Sequence, residues 1–147
     1  MKMKYLLLIF IVNACGTADP RFLSKNFYFS EEKTVNVGDA MISVEAGIKT
    51  VFLYLTEINA IRQELIYGGI DHNVIQVDYR EYEINKRGTF IRDAYRQSMK
   101  YDLNETHTIK YRTITIDVVS ANSSSITFIV RSFGINPEYN GVQWDNK

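Results

Sequence analysis

Short stretches in which every second residue is apolar recur along this chain at intervals of about ten residues, and they constrain its fold more than any other feature. The clearest are 113–120 and 125–133, where Ile, Val or Phe stands at alternate positions. A period of two is typical of a strand that buries one face, and the Ala-Asn-Ser-Ser sequence at 121–124 is typical of a turn. The sequence therefore predicts an all-β domain of about seven to nine strands, built as a single antiparallel sandwich or a small barrel.

The same signals predict further strands over 24–29, 34–44, 50–55, 60–67, 74–83 and 108–111. Two segments, 50–67 and 90–103, also have apolar residues at helical spacing, so strand and helix both stay open there. For 90–103 we favour one long strand, because Phe90 and Tyr101 suit a pleated surface and the neighbouring segments are strands. The apolar parity changes within 111–114, which predicts a bulge or a corner.

The composition limits both the size of the protein and its class of partner. A chain of 147 residues, of which 46% are hydrophobic, is long enough for one domain with its own core. Its 17 basic residues balance 17 acidic ones, which argues against a nucleic-acid-binding protein, since such a protein needs a basic excess. A single cysteine excludes an intrachain disulfide and a thiolate zinc cage. We therefore expect no metal, no cofactor and no nucleic-acid partner.

The first fifteen residues have the pattern of an export signal. Lys2 and Lys4 precede an apolar run over 5–12, which is too short to cross a bilayer because that takes about 20 residues. An apolar run of this length after a positive start is typical of a secretory signal. The next four residues, Val-Asn-Ala-Cys at 12–15, resemble the lipobox of bacterial lipoprotein signals, in which a small residue precedes the cysteine that carries diacylglycerol.

The lipobox resemblance implies a lipid anchor on Cys15, which would attach the protein durably to a membrane. Gly16, rather than Asp, follows Cys15, and by the sorting rule of enteric bacteria this implies the outer membrane. The alternative is an ordinary signal peptide followed by a free or buried cysteine. The expected divisions are a signal peptide at 1–14, the lipidated cysteine and a tether at 15–24, a β domain at 25–133 and a C-terminal tail at 134–147.

Three strand motifs in the middle of the chain resemble a group of short, uncharacterised bacterial lipoproteins. They are Gln-Glu-Leu-Ile-Tyr at 63–67, Tyr-Arg-Glu-Tyr at 79–82 and Tyr-Asp-Leu at 101–103. Tyr82 stands where the group has Phe. The group has no established activity, so the resemblance implies an envelope lipoprotein of β type and assigns no catalytic residue.

Residues with catalytic side chains are few and do not form a recognisable site. Both histidines, His72 and His107, fall in predicted turns, which favours solvated loop residues over catalytic bases. Glu81 and Glu83 share one face of a predicted strand, as the paired carboxylates of a glycosidase do. Basic residues close to them in sequence instead indicate a solvated, ion-paired hairpin end. We therefore predict no catalytic residue and no enzyme activity.

Two groups of residues are candidates for binding a partner. Arg92, Arg96 and Lys100 stand at even positions of the predicted strand 90–103, so they would line its outer face. Such a strip is either a solvated face that discourages edge pairing or a contact for an anionic partner, such as peptidoglycan, lipid headgroups or an acidic protein. The second group consists of tyrosines that serve either core packing or a protein or glycan contact, namely Tyr79 and Tyr95 with Tyr82, Tyr101 and Tyr111.

These features favour a non-enzymatic, lipid-anchored module of the bacterial envelope that binds an envelope protein or glycan, or serves an assembly. One alternative is a carrier whose β domain holds a small apolar ligand. The other is an inhibitor of an envelope-degrading enzyme, of the lysozyme-inhibitor kind.

Overall fold

Ten strands and one turn of 3-10 helix form the domain, as seen in a computed structural model that describes residues 21–52 and 55–134. The prediction of an all-β fold is confirmed. In chain order the elements are β1 (Arg21–Lys25), β2 (Glu32–Asn36), β3 (Ala40–Phe52), β4 (Leu55–Asp71), β5 (Val74–Asn85), β6 (Gly88–Ile91), the 3-10 turn (Asp93–Tyr95), β7 (Gln97–Asp102), β8 (Thr108–Tyr111), β9 (Ile114–Ala121) and β10 (Ser125–Ser132).

The strands form two antiparallel sheets that share one core in a sandwich-like arrangement. The long sheet has the order β1-β3-β4-β5, and both β6 and β7 pair with the outer edge of β5. The short sheet has the order β2-β10-β9-β8. Most pairs join strands that follow one another in the sequence. β2 is an exception, because it pairs with β10, which is far from it in the sequence. The described strands leave both sheets open, so they form a sandwich rather than a closed barrel.

The apolar core lies between the two sheets and is supplied by the alternation seen in the sequence. On β5, Ile75 and Val77 are fully buried, while the residues between them are only half buried. On β10, Phe128 and Val130 are buried in the same alternating way. Removing such side chains from water is worth roughly 25 cal/mol for each Å² of apolar surface, so this core supplies the main stabilising contribution.

In segment 50–67, which the sequence left open between strand and helix, residues 50–52 belong to β3 and residues 55–67 belong to β4. These two strands approach very closely at Gly47. A Cβ atom there would lie 2.2 Å from the carbonyl oxygen of Asn59 and 2.5 Å from the Cβ atom of Ala60. No side chain fits that space, so the close approach of β3 and β4 requires glycine.

The segment 90–103 is not the one long strand that we predicted. β6 pairs with β5 at 82–85 and β7 pairs with β5 at 74–79. The two β5 residues between them, 80–81, therefore face five residues of the outer strand, 92–96. Five residues cannot remain extended opposite two, so they coil into the 3-10 turn.

β8 and β9 meet in a two-residue hairpin turn, not at the bulge or corner that the parity change predicted. Tyr111 pairs directly with Ile114, so both side chains lie on the same face of the short sheet. The apolar side chains therefore change from odd to even positions across the turn, while the pairing between β8 and β9 stays regular. Arg112, in the turn, has a φ of 52°, a left-handed conformation that is uncommon for a long side chain.

The described domain starts earlier than the sequence predicted. β1 begins at Arg21, so residues 21–24 of the expected tether belong to the long sheet. The predicted signal peptide, Cys15 and residues 135–147 of the predicted tail lie outside the described residues. Within the ranges that the structure describes, no helix is long and apolar enough to span a membrane.

Candidate functional site

The sandwich has two open sides, and they differ in chemistry. The N-terminal edge consists of β1, residues 26–31 and β2. The far edge consists of β6, the 3-10 turn and β7 on the long sheet and β8 on the short sheet. Arg92, Tyr95, Arg96 and Lys100 all come from the far edge, so this edge is the candidate binding site.

A buried carboxylate on β5 adjoins the far edge, between the pairings of β5 with β6 and with β7. Glu81 is only 4% exposed because it continues the inward alternation of β5 that also buries Tyr79. Its carboxylate accepts hydrogen bonds from Gln63 Nε2 at 3.0 Å and from the Tyr79 hydroxyl at 2.9 Å, and it forms an ion pair with Arg92. The predicted solvated hairpin end is therefore wrong for Glu81, while Glu83 on the same face is exposed. A charge this deeply buried needs such partners, because desolvation of an unpaired carboxylate is costly.

The 3-10 turn brings Arg92 to Glu81. The backbone N–H of Arg92 donates to the carbonyl oxygen of Glu81 at 2.8 Å, and this bond fixes Arg92 opposite Glu81 on the inner face. The Arg92 guanidinium also lies over the ring of Tyr95, with 4.3 Å between the guanidinium carbon and the ring centroid. Tyr95 is itself 43% exposed, so the stacked pair continues from the buried carboxylate to the surface.

A second arginine reaches the same region from the short sheet. The Arg112 guanidinium carbon lies 5.1 Å from the ring centroid of Tyr79 and 5.4 Å from that of Tyr111. The two tyrosine rings are 5.0 Å apart, so they join the sheets beneath Arg112. Among the residues that the structure describes, no carboxylate lies within ion-pairing distance of Arg112. We call this group the far-edge cluster: Gln63, Tyr79, Glu81, Arg92, Tyr95, Tyr111 and Arg112.

The protonation of the cluster follows from its burial. Desolvation raises the pKa of Tyr79 well above its ordinary value, and the hydrogen bond and charge of Glu81 raise it further, against a smaller opposite effect of Arg112. Desolvation also raises the pKa of Tyr111, which Arg112 partly offsets. Both phenols therefore keep their protons at neutral pH, and the Tyr79 hydroxyl remains a donor to the carboxylate.

One polar atom of the cluster is unsatisfied. Gln63 is 6% exposed and uses its Nε2 for Glu81, which leaves its Oε1 buried with no hydrogen-bond partner among the described residues. An acceptor buried in this way costs about 1 to 3 kcal/mol. A water molecule or a ligand that carries one N–H or O–H group would satisfy it.

The structure separates the three basic residues that were predicted to share one face. Arg92 lies on the inner face with Glu81, whereas Lys100 pairs in register with Gln76 on the outer face of the sheet. The break at 92–96 is the reason, because it interrupts the regular alternation between them. Arg96 is exposed and lies 3.5 Å from a carboxylate oxygen of Asp93. Lys100 instead lines an open groove of about 580 Å³, together with Gly68, Gly69, Ile70, Asp71, His72, Val74, Gln76 and Ser123.

The tyrosines also divide between two environments. Tyr79 is 2% exposed and belongs to the core together with Tyr111, whereas Tyr95 is at the surface. Sequence reasoning missed the roles of Gln63 and Arg112. The alternation of apolar residues could have indicated that Gln63 is buried, because it stands on the apolar face of its strand. No sequence signal indicated the role of Arg112, because its position depends on the geometry of the hairpin turn.

The remaining titratable residues form no further centre in the described ranges. His72 is exposed in the β4–β5 turn and pairs with Asp71 at 2.7 Å, and His107 is exposed just before β8. Among residues 21–52 and 55–134, no group of three or more His, Cys, Asp or Glu is placed to hold a metal ion.

No protein-family model, no curated protein and no solved structure matches this chain. A function therefore has to be argued from the sites themselves.

Proposed function

We propose that this protein is a lipid-anchored binding module of the bacterial envelope, which is attached through Cys15 and binds an anionic envelope protein or glycan rather than catalysing a reaction. The observation that carries the proposal is the position of the far-edge cluster. It lies on the side of the sandwich opposite β1, the strand that leads back to Cys15. An anchored domain would thus present this cluster away from the membrane.

Simple dimensions support this orientation. Residues 16–20 connect Cys15 to β1, and the six residue steps from Cys15 to Arg21 reach at most about 22 Å. The N-terminal edge would therefore stay close to the bilayer. β6 is four strands away from β1 across the long sheet, which corresponds to about 19 Å. The far edge would then face the periplasm or the external medium.

The side chains of the far edge are suited to an anionic partner. Arg112 has its guanidinium over two rings, and no carboxylate in the described chain competes with a ligand for it. A guanidinium binds carboxylate or phosphate groups through paired hydrogen bonds. The exposed Tyr95 adds apolar area beside Arg92 and Arg96. An inhibitor of an envelope-degrading enzyme would be one form of this proposal, with an acidic enzyme surface as the partner.

The first test is crosslinking and affinity capture of the tagged full-length protein from intact cells. We expect wild type to recover one envelope protein or peptidoglycan fragment, and the unanchored Cys15→Ser protein to lose it. The Arg96→Gln/Arg112→Gln variant should recover at least tenfold less. Arg131→Gln is the matched control, because it removes an exposed arginine of β10 that pairs with Asp117 at 2.7 Å. Equal recovery by the double variant and the control would contradict binding at the far edge.

The carrier alternative has one observation in its favour, which is the unsatisfied Oε1 of Gln63. It requires a small molecule with a donor group that reaches this buried atom. Native mass spectrometry of the protein purified from its membrane tests it directly. A bound mass that disappears in Gln63→Leu supports a carrier, and a spectrum with no bound mass contradicts it.

A further inference from the structure

We propose that the N-terminal edge of the sandwich lies against the surface of the bilayer and inserts exposed aromatic side chains among the lipid headgroups. This inference rests on the proposed anchor at Cys15 and adds an orientation to it. The residues that would make the contact are Leu23, Lys25, Tyr28 and Phe29. They lie on β1 and on the segment that crosses from β1 to β2.

The exposure of these residues is unusual for large apolar side chains. Tyr28 is 72% exposed, Phe29 is 45% exposed and Leu23 is 44% exposed. All three belong to the N-terminal edge, and Tyr28 and Phe29 are consecutive, so the edge concentrates exposed apolar area within seven residues of the chain. Contiguous exposed apolar surface in a folded domain marks a site of contact with a protein or a membrane.

The segment that carries the aromatic residues is held rigidly. Phe27 is 3% exposed, and its ring packs edge-on against Phe29 at 5.7 Å and against Phe133 at 5.2 Å. The ammonium group of Lys25 lies 4.7 Å from the ring centroid of Phe29. The backbone N–H of Ser30 donates to the carbonyl of Val130 at 3.1 Å, which fixes the end of the segment to the short sheet. The Phe29 ring and the backbone of this segment are therefore already in position and lose little freedom on contact.

The length of the tether favours the bilayer over other partners. Six residue steps separate Cys15 from Arg21, so a lipid on Cys15 holds the start of β1 within about 22 Å of the headgroups. Aromatic side chains are enriched at the interface between lipid and water, where an apolar ring and a polar tip are both accommodated. Tyr28 and Phe29 meet that description, and they lie on the edge of the sandwich that follows directly from the tether.

The charges on this edge indicate what drives the contact. Arg21 and Lys25 are basic, Glu31 and Glu32 are acidic, and all four are exposed. Lys33 points inward, where its Nζ donates to the carbonyl of Asn26 at 2.8 Å. The local charge is therefore nearly balanced, and apolar burial rather than attraction to anionic lipid would hold the edge. We expect the contact to persist at high salt.

The test uses the full-length lipidated protein in vesicles of phosphatidylethanolamine and phosphatidylglycerol. Lipidation blocks the sulfur of Cys15, so a cysteine introduced by Tyr28→Cys is the reactive thiol and accepts a polarity-sensitive fluorophore. Val119→Cys is the matched control, because Val119 is 49% exposed and lies on β9 of the short sheet. Leu23→Cys is a second probe of the same edge, and equal urea midpoints for all three variants would confirm intact folding.

We expect the label at position 28 to shift its emission to the blue on vesicles, and a headgroup-attached nitroxide to quench it at least threefold more than the label at 119. Raising the salt concentration should leave this ratio unchanged. Equal quenching at 28, 23 and 119 in protein whose mass includes the lipid would overturn the membrane contact and leave the anchor standing. Membrane-purified protein whose mass lacks the lipid would overturn both proposals.

Discussion

The N-terminal edge and the far edge close the same sandwich with different interactions. The N-terminal edge is held by aromatic rings, with Phe27 buried between Phe29 and Phe133 and a lysine over the outer ring. The far edge is held by a buried carboxylate with three polar partners, which include Arg92. Loss of one ring removes some apolar contact and little else. Loss of one partner from a buried charge leaves the remaining groups unsatisfied, so the two edges should respond very differently to substitution.

The largest effect is expected at the buried carboxylate that adjoins the far edge. Glu81→Ala removes the acceptor that Gln63, Tyr79 and Arg92 share, and we expect it to lower the free energy of unfolding by about 3 kcal/mol. Glu83→Ala is the control, because its exposed carboxylate accepts one hydrogen bond, from Asn85 Nδ2 at 2.9 Å. That variant should lose less than about 0.5 kcal/mol. Urea unfolding measures both, and similar losses would remove the distinction between the edges.

A pH effect is expected next, from the same cluster. The pKa of Tyr79 is raised in the folded state by burial and by Glu81, whereas tyrosine in the unfolded chain titrates near its ordinary value of about 10. The folded state therefore keeps a proton that the unfolded state releases. The contribution of Tyr79 to the free energy of unfolding is therefore complete below about pH 10 and declines as the pH rises above that value.

Tyr79→Phe isolates this contribution. We expect the variant to lose about 1 kcal/mol at neutral pH, through loss of the hydrogen bond to Glu81, and to show a shallower decline of stability between about pH 10 and about pH 11 than wild type. Tyr28→Phe serves as the control because its side chain is 72% exposed. Urea midpoints over this pH range supply the measurement. A wild-type decline that Tyr79→Phe leaves unchanged would show that Tyr79 is not its source.

A smaller effect is expected at the N-terminal edge. Phe29→Ala removes a half-exposed ring that packs against Phe27, and we expect a loss of about 1 kcal/mol. Tyr28→Ala should lose less than about 0.5 kcal/mol, because most of its side chain already contacts solvent. Thermal or urea unfolding of the unanchored protein gives both values. A loss at Tyr28 as large as that at Glu81 would mean that this ring supports the fold, and is not held free for a membrane.

The smallest effect is expected at the surface of the far edge. Arg96→Ala removes a pair with Asp93 at 3.5 Å in which both side chains are more than half exposed. Such pairs contribute between zero and about 1 kcal/mol, and we expect a change below about 0.3 kcal/mol. A double-mutant cycle with Asp93→Ala measures the interaction itself. A coupling above about 1 kcal/mol would extend the structural network of the far edge as far as Arg96.

The fold was largely predictable because its local signals agree. The alternation over 113–120 and 125–133 predicts β9 and β10, and both strands bury the expected side of each run. The strands predicted over 60–67 and 74–83 likewise lie within β4 and β5. The break at 92–96 was not predictable, because it depends on how many residues of β5 remain between the pairings with β6 and β7. The apolar pattern of the sequence does not indicate how many residues of β5 are left between those two pairings.

The candidate site was less accessible to sequence reasoning than the fold. Glu81 stands at a buried parity, yet the basic residues near it in sequence favoured a solvated position. Its partner is Arg92, which is supplied by the 3-10 turn, and not those basic residues. Gln63 comes from another strand, and Arg112 comes from the other sheet. Spatial neighbours of this kind follow from strand order and register, which a single sequence does not specify.

The pairing of β2 with β10 has a consequence for the order in which the molecule assembles. Thr34 and Thr127 are hydrogen-bonded neighbours across this pair at 2.8 Å, although they are 93 residues apart in the chain. Closing a loop of that length costs about 4 kcal/mol of chain entropy, whereas the hairpins of β3, β4 and β5 close over short turns. As the chain is synthesised from the N-terminus, β3, β4 and β5 can therefore pair early, while β2 has no partner until β10 has been made. A chain interrupted before residue 125 would lack β10 and leave β2 unpaired, and an unpaired strand edge is a site for aggregation.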